Sequence, residues 1–410
     1  MRRHRRTKWL CSVLTLIFII AIYRGNHRVI RKKSSTTCAP GSNGRPQPEE
    51  KAEPKKIQKA SPILVRRVRV FKKRRVVLIP KNKVLNKTAT KVEYSRRGFI
   101  MSRKDERSFQ IHDIAEYLLK PWKRNETNIR DLRSILEGYA DPSVLVATKE
   151  NMEVGQQIKM YFESKDLSIN LDEDVYSTFP KKWPEDDNNK RYRTCSLVGS
   201  SGILLDSQCG KQIDSADYVI RMNTPPILNF TNDAGSKANM TTMNPSVIAK
   251  RYNNLTLESD IVKYLSDMRQ YNQHLIIPAF SMRIGYELSK KVVAAFKEDP
   301  FHPLHVLLMH PKHFLATSHF WKDKFDIDAK RISSGLYMAS VALSMCDQVT
   351  AFGFWPFHMD HRNRTLEYHY YEQTKLVPLP KVHHFAQEFR ILLSLHDIGI
   401  IRLHSNNCYD

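Results

Sequence analysis

The sequence predicts an α/β fold built around a nucleotide pocket, and two segments carry that prediction. Cys195 to Asn223, CSLVGSSGILLDSQCGKQIDSADYVIRMN, runs from an apolar strand through a glycine turn and a polar segment into a second strand. Arg331 to Phe357, RISSGLYMASVALSMCDQVTAFGFWPF, opens on Ser-Ser-Gly, continues as a helix and ends in a strand. A third observation, the distribution of charge, assigns the fold to the C-terminal part of the chain.

In the first segment, Ser196, Leu197 and Val198 form a short apolar run that stops at Gly199, Ser200, Ser201 and Gly202. Small residues let the backbone turn tightly and approach a ligand without Cβ obstruction. A turn of this kind between strand and helix presents free N–H groups to an anion. Asp217 to Met222 is strand-like and delivers Asn223 at its carboxyl end, where open parallel sheets bind ligands. Taken alone, G-x-S-G also marks ordinary strand-to-helix connections. In the second segment Ser333, Ser334 and Gly335 read as a helix start, Leu336 to Met345 as an amphipathic helix and Gln348 to Phe354 as a strand.

Residues 1–110 contain 31 Lys and Arg against 6 Asp and Glu, a net of +25, whereas the whole chain carries +24, so residues 111–410 come to −1. The basic character therefore belongs to the N-terminal part. No groove-reading module accompanies it, which argues against nucleic acid. Trp9 to Tyr23 is 15 residues without charge, below the roughly 20 of a typical span but suited to the thinner membranes of the early secretory pathway. No small-x-small cleavage site follows, which disfavours a removable signal peptide. Basic residues flank the span on both sides, so charge counting alone does not orient it. The expected organisation is a cytoplasmic tail at 1–8, a signal-anchor at 9–23, a basic disordered stem at 24–114 and a lumenal catalytic domain at 115–410. Within the stem, 63–79 has enough β-formers for a hairpin, but its charge density favours a solvated tail.

The two segments resemble, in order, the long and short sialyl motifs of the animal sialyltransferases. His369-Tyr370-Tyr371-Glu372 resembles their third motif, and His383 with Glu388 five positions later resembles the very short one. Gly353-Phe354-Trp355-Pro356-Phe357, Thr242-Met243-Asn244-Pro245 and the late Cys408 are similar to the α-2,8 branch, which joins sialic acid to sialic acid. The resemblance covers about residues 115 to 410. It implies a Rossmann-like, mostly parallel sheet with helices on both faces, the sialyltransferase variant of the GT-A fold. It also implies a single-pass type II protein of the Golgi membrane and an inverting transfer of sialic acid from CMP-sialic acid to the 8-hydroxyl of a terminal sialic acid.

Of the six cysteines, Cys11 falls in the span and Cys38 in the stem, leaving Cys195, Cys209, Cys346 and Cys408. Four cysteines allow three pairings, which spacing does not decide. The resemblance implies Cys195 with Cys346 and Cys209 with Cys408. Sequons stand at Asn86, Asn125, Asn229, Asn239, Asn254 and Asn363. Like the cysteines, they fit a lumenal, oxidising compartment.

Sialyl transfer needs a base for the acceptor hydroxyl and a charge or proton donor for the departing CMP phosphate. Imidazole titrates near the working pH and suits both tasks. By resemblance, His383 is the base and His369 faces the leaving phosphate; adjacent His384 leaves open which ring of the pair enters the pocket. The expected donor contacts are Asn223, Ser333, Ser334, Gly335, Ser200, Ser201 and Trp355. Ser200 stands where related enzymes carry Asn, so its contact could pass to water or to Ser201, and Trp355 reads equally as core. No cofactor or metal is expected: Asp172-Glu173-Asp174 and Asp326-Ile327-Asp328 imitate a metal motif but read as solvated turns, and a monophosphate leaving group lacks the diphosphate that a metal bridges.

Lysines and acids alternate from Pro311 to Arg331, which favours mono- or oligosialylation over a long polymer, with His310, His313 and His319 available to add charge in an acidic lumen. Expected partners are CMP-sialic acid, sialylated glycoprotein or glycolipid acceptors and the Golgi membrane, with a homodimer left open. Two rival readings are α-2,3 or α-2,6 transfer to galactose or N-acetylgalactosamine, and an inactive membrane lectin or polyanion-binding protein.

Overall fold

The computed structural model describes residues 111–163, 167–184, 191–375 and 383–408. The expected span, most of the stem, Cys11, Cys38 and Asn86 lie outside them. Among the described residues no helix is long and apolar enough to cross a membrane.

Short strands β1 (Gln157–Lys159) and β2 (Ser168–Asn170) form an antiparallel ribbon. The central sheet contains β3 (Tyr192–Val198), β4 (Tyr218–Arg221), β5 (Met240–Thr242), β6 (Gln273–Ile277), β7 (Leu304–Leu308) and β8 (Cys346–Phe352). After β8 come a second antiparallel ribbon, β9 (Glu367–His369) and β10 (Glu372–Lys375), and the last sheet strand, β11 (Ile401–His404). The sheet order is β11-β8-β3-β4-β5-β6-β7, and every neighbouring pair is parallel. The helices are α1 (Ile111–Leu119), α2 (Glu126–Tyr139), α3 (Glu173–Ser177), α4 (Gly210–Asp214), α5 (Thr231–Ala234) and α6 (Pro245–Arg251). They continue with α7 (Glu258–Met268), α8 (Arg283–Lys297), α9 (Pro311–Phe325), α10 (Ser334–Met345) and α11 (Phe385–Asp397).

A parallel sheet needs crossovers, and these cover both faces. Alternation along β3 divides the core: Cys195 and Leu197 join Ile220, Leu336 and Leu392 on one side, while Val198 joins Val219, Ile213 and Phe352 on the other. Leu275 and Ile277 of β6 pack with Ile248, Tyr264 and Val292 of α6, α7 and α8 in a further cluster. Helix α10 corrects the amphipathic expectation. Leu336 through Leu343 are all buried, because the helix lies between the sheet and helices α2 and α9. Its final carbonyls still need donors. Arg133 of α2 supplies them from within the core, Nε to Leu343 O and one terminal nitrogen to Cys346 O, each at 2.6 Å.

Both disulfides have the pairing that the resemblance implied: Cys195 to Cys346, closing 151 residues, and Cys209 to Cys408, closing 199. The first crosslinks the neighbouring strands β3 and β8. Chain-entropy reasoning assigns each closure about 5 kcal/mol.

The sequons differ in exposure. Asn125 is exposed and caps α2 by accepting from Asn128 N. Asn229 and Asn363 are exposed and Asn254 is half-buried. All three have left-handed backbones, at φ 73°, 60° and 56°, a conformation that asparagine tolerates better than most residues. Asn239 requires a correction. It is 9% exposed, its Oδ1 accepts from Val219 N, and Thr241 of the same sequon is buried. The folded sheet leaves no room for a glycan there.

Candidate active site

The chain winds from β3 outward to β7, then returns through β8 to the opposite side of β3. That reversal opens a crevice at the carboxyl ends of β3 and β8, the place where open α/β sheets bind ligands. Gly199 N donates to Phe352 O at 2.7 Å and Ser201 N to Gly353 O at 3.2 Å, holding the two loops together. A Cβ on Gly199 would lie 2.4 Å from Gly353 O, and one on Gly353 would lie 2.7 Å from Gly199 O. These glycines therefore admit each other's backbone, where a ligand was expected. Ser201 is likewise committed: its hydroxyl donates to Trp355 O at 2.9 Å and accepts from Ile203 N. Ser200 keeps a free hydroxyl among the described residues, while its carbonyl accepts from Tyr370 N.

The other wall is the N-terminus of α10. Ser333 caps it by accepting from Leu336 N. Glu388, 4% exposed on α11, accepts from Ser333 N at 2.9 Å and from the Ser333 hydroxyl. Burial raises the Glu388 pKa. The glutamate of the very short motif is thus a clamp on the helix start. The N–H groups of Ser334 and Gly335, in the first turn, have no intrahelical acceptor and suit an anion. Gly335 is fixed by Phe354, whose ring edge would lie 2.8 Å from a Cβ. The Ser334 hydroxyl donates to Asn244 Oδ1 at 3.3 Å, and Asn244 N donates to Asn223 Oδ1 at 3.1 Å. Asn223, left-handed at φ 64° after β4, is therefore linked to the α10 start and keeps Nδ2 uncommitted among the described residues. Asn244, from the Thr242 to Pro245 motif, joins the site beyond the residues expected from the sequence.

Of the two adjacent histidines, His384 is exposed at the start of α11, and His383 is half-buried. His383 Nδ1 lies 3.1 Å from Arg331 O. A carbonyl only accepts, so Nδ1 carries the proton and Nε2 is left as the base. Burial holds the His383 pKa below the ordinary imidazole value, the Arg331 O hydrogen bond raises it, and the Arg331 charge lowers it. On the β9–β10 ribbon, His369 Nδ1 is 2.7 Å from Glu372 Oε2. The ring stacks on Tyr371 at 5.1 Å and an interplanar angle of 11°. Arg251 lies over the same tyrosine, 5.6 Å from its centroid, and donates to Thr224 O at 2.6 Å. The partners Glu372 and Arg331 are not among the site residues expected from the sequence: Glu372 closes the same four-residue motif as His369, and Arg331 acts through a contact 52 residues away in sequence.

Trp355 belongs to the core: it is 5% exposed, packs on Phe357 and Phe389, and donates from Nε1 to Met359 O. Its side chain has no open face toward a donor. Asp172 stands at the N-cap position of α3, its carboxylate paired with Lys290, and Asp326 is the left-handed C-cap of α9; both are helix ends. His310 and His313 were expected to add charge at low pH. Burial instead holds both at about 4, with His310 capping α9 and His313 bonded to Tyr337. A cavity of ≈ 270 Å³ lined by Val293, Phe296 and His305 sits beside edge strand β7, away from the crevice.

Comparison with known proteins identifies the family. The family Glycosyltransferase family 29 (sialyltransferase) matches residues 146–400. An "Alpha-N-acetylneuraminide alpha-2,8-sialyltransferase" of Xenopus tropicalis is 37% identical over 291 residues, 70% of this chain and 81% of that protein. The protein of the same name from Bos taurus is 36% identical, covering 70% and 79%, and "Alpha-2,8-sialyltransferase 8F" of Mus musculus is 35% identical, covering 70% and 71%. A solved mammalian sialyltransferase aligns over 72% of this chain and 85% of its own, at 21% identity and a TM-score of 0.38. The chain belongs to glycosyltransferase family 29, the sialyltransferases.

Proposed function

We propose that this protein is an inverting, metal-independent α-2,8-sialyltransferase that moves sialic acid from CMP-sialic acid to the 8-hydroxyl of a terminal sialic acid. The observation that carries the chemistry is His383: its Nδ1 is tied to Arg331 O, beside the α10 start that Glu388 organises. The acceptor hydroxyl oxygen attacks the anomeric carbon as the bond from that carbon to the phosphate oxygen breaks. The hydroxyl proton passes to His383 Nε2. His369, oriented by Glu372, gives a proton or its charge to the departing phosphate. One displacement without a covalent intermediate inverts the anomeric centre.

The first turn of α10, with Ser334 and Gly335, is the natural seat for the CMP phosphate, and Asn223 Nδ2 serves cytidine or phosphate. Metal independence is supported by the donor set: the α10 N–H groups and His369 supply what a monophosphate needs, and the D-x-D strings lie at helix ends. We place the fold among Rossmann-like GT-A variants, supported by the parallel sheet and its switch point. Residues 9–23 then serve as a signal-anchor and 24–114 as a stem, with residues 115–410 in the Golgi lumen, supported by the N-terminal charge pattern, the sequons and the two disulfides.

The test is product analysis with CMP-sialic acid, one sialylated and one asialo acceptor, and a chelator present throughout. Transfer confined to the sialylated acceptor with an 8-linked product is expected. Transfer to galactose on the asialo acceptor, or abolition by the chelator, overturns the corresponding part of the reading.

A further inference from the structure

Arg331 has no counter-ion among the described residues. Among the described residues its guanidinium makes no hydrogen bond or ion pair, and its Nε is buried without an acceptor. The group lies over Phe162, 5.0 Å from the ring centroid. The buried Tyr161 hydroxyl, within electrostatic reach of Arg331, is also unpartnered. Leaving polar groups unpaired at a buried position is costly, and burial lowers the Arg331 pKa. Its backbone carbonyl, meanwhile, holds the catalytic base His383. Two nearby cations differ from it: Arg251 is bonded to Thr224 O, and Arg221, fully buried and with terminal nitrogens also unbonded, has its Nε on Lys237 O and the Asp214 carboxylate 3.9 Å away.

We propose that Arg331 is the specificity residue that binds the carboxylate of the acceptor sialic acid. This rests on the reading of the acceptor as a sialoside. An 8-hydroxyl delivered to His383 Nε2 brings the anionic end of its own sugar close to the residue whose carbonyl holds that histidine. A guanidinium matches a carboxylate bidentately, which an ammonium cannot do. Phe162 below the guanidinium restricts its orientation, and the Tyr161 hydroxyl offers a further donor. The donor sugar carries a carboxylate too, so the two sources must be separated by experiment.

Steady-state kinetics of the full-length protein and its Arg331→Met and Arg331→Lys variants make that separation, with a sialylated acceptor as free acid and as carboxylate methyl ester. For Arg331→Met, the acceptor KM is expected to rise about ten- to hundredfold, with donor KM unchanged. The unmodified enzyme should reject the ester by a similar factor, and Arg331→Met should no longer distinguish acid from ester. Arg331→Lys, which retains charge and folding, should fall between. If the donor KM rises while the acceptor KM stays, or if the variants still prefer the acid as strongly as the unmodified enzyme does, the inference is overturned. Transfer by the unmodified enzyme to asialo acceptors alone overturns the functional reading and this assignment with it.

Discussion

His383 and His369 are both half-buried, and each has Nδ1 engaged, yet their surroundings differ in charge. His383 stands at the start of α11 with a neutral carbonyl as partner, buried, beside an arginine. His369 sits on a two-stranded ribbon with a carboxylate as partner, between Tyr368 and Tyr371. Burial and a nearby cation favour the uncharged ring, which a base must be, against the smaller opposing effect of the Arg331 O hydrogen bond. The Glu372 carboxylate orients the His369 ring through Nδ1, as the proposed contact with the leaving phosphate requires. The difference supports the proposed division of roles between a base and a phosphate partner.

The most severe way to break the comparison is His383→Ala, expected to lower kcat by about a thousandfold while both disulfides and the melting temperature are retained. His369→Ala should cost about a hundredfold, and a variant with unaltered turnover would remove His369 from the mechanism. Glu372→Gln tests the partner: replacing a charged acceptor by a neutral one should lower kcat by about tenfold, leaving the acid limb of the pH profile in place.

That limb sharpens the comparison further. In the proposed mechanism His383 works uncharged, and its pKa lies below the ordinary 6.5, so activity should persist below pH 6.5 and fall only as pH drops through the depressed value. Arg331→Met should move the limb upward, toward but not beyond that ordinary value, because the burial remains. Folding must be followed in parallel. His274, His310, His313, His396 and His404 are held at about 4 by burial. The unfolded chain therefore binds more protons than the folded one between about pH 6.5 and 4. Stability is fully present above 6.5 and lost as pH falls through that window, which melting curves at successive pH values would detect.

Much of this was legible in the chain because central parallel strands are short apolar runs and helix starts carry Ser and Gly. The expected strand at 217–222 is β4, Tyr218–Arg221, and the helix start at Ser333 is a cap. The side of a residue that faces the pocket was less legible. Ser201 and Trp355 stand in motifs yet are tied to the scaffold, since their partners, Trp355 O and Met359 O, are fixed by loop geometry. Glu388 looked like a motif marker and is a buried clamp. Arg331 is two residues before the helix start at Ser333, and only the absence of a counter-ion among the described residues singles it out. Asn239 fits a sequon whose burial depends on neighbouring β4.

The pairing of Gly199 with Gly353 bears on how this site can vary. Each residue is already the smallest available, and any side chain at one would meet the opposite carbonyl. No change at either position can be offset by shrinking the other, so single substitutions at both should be purged for whatever donor the enzyme meets. A saturation library would find two fixed columns there, and beside them Ser200, half-buried with an open hydroxyl, as the position of the turn where new donor preference can be sought without parting the sheet.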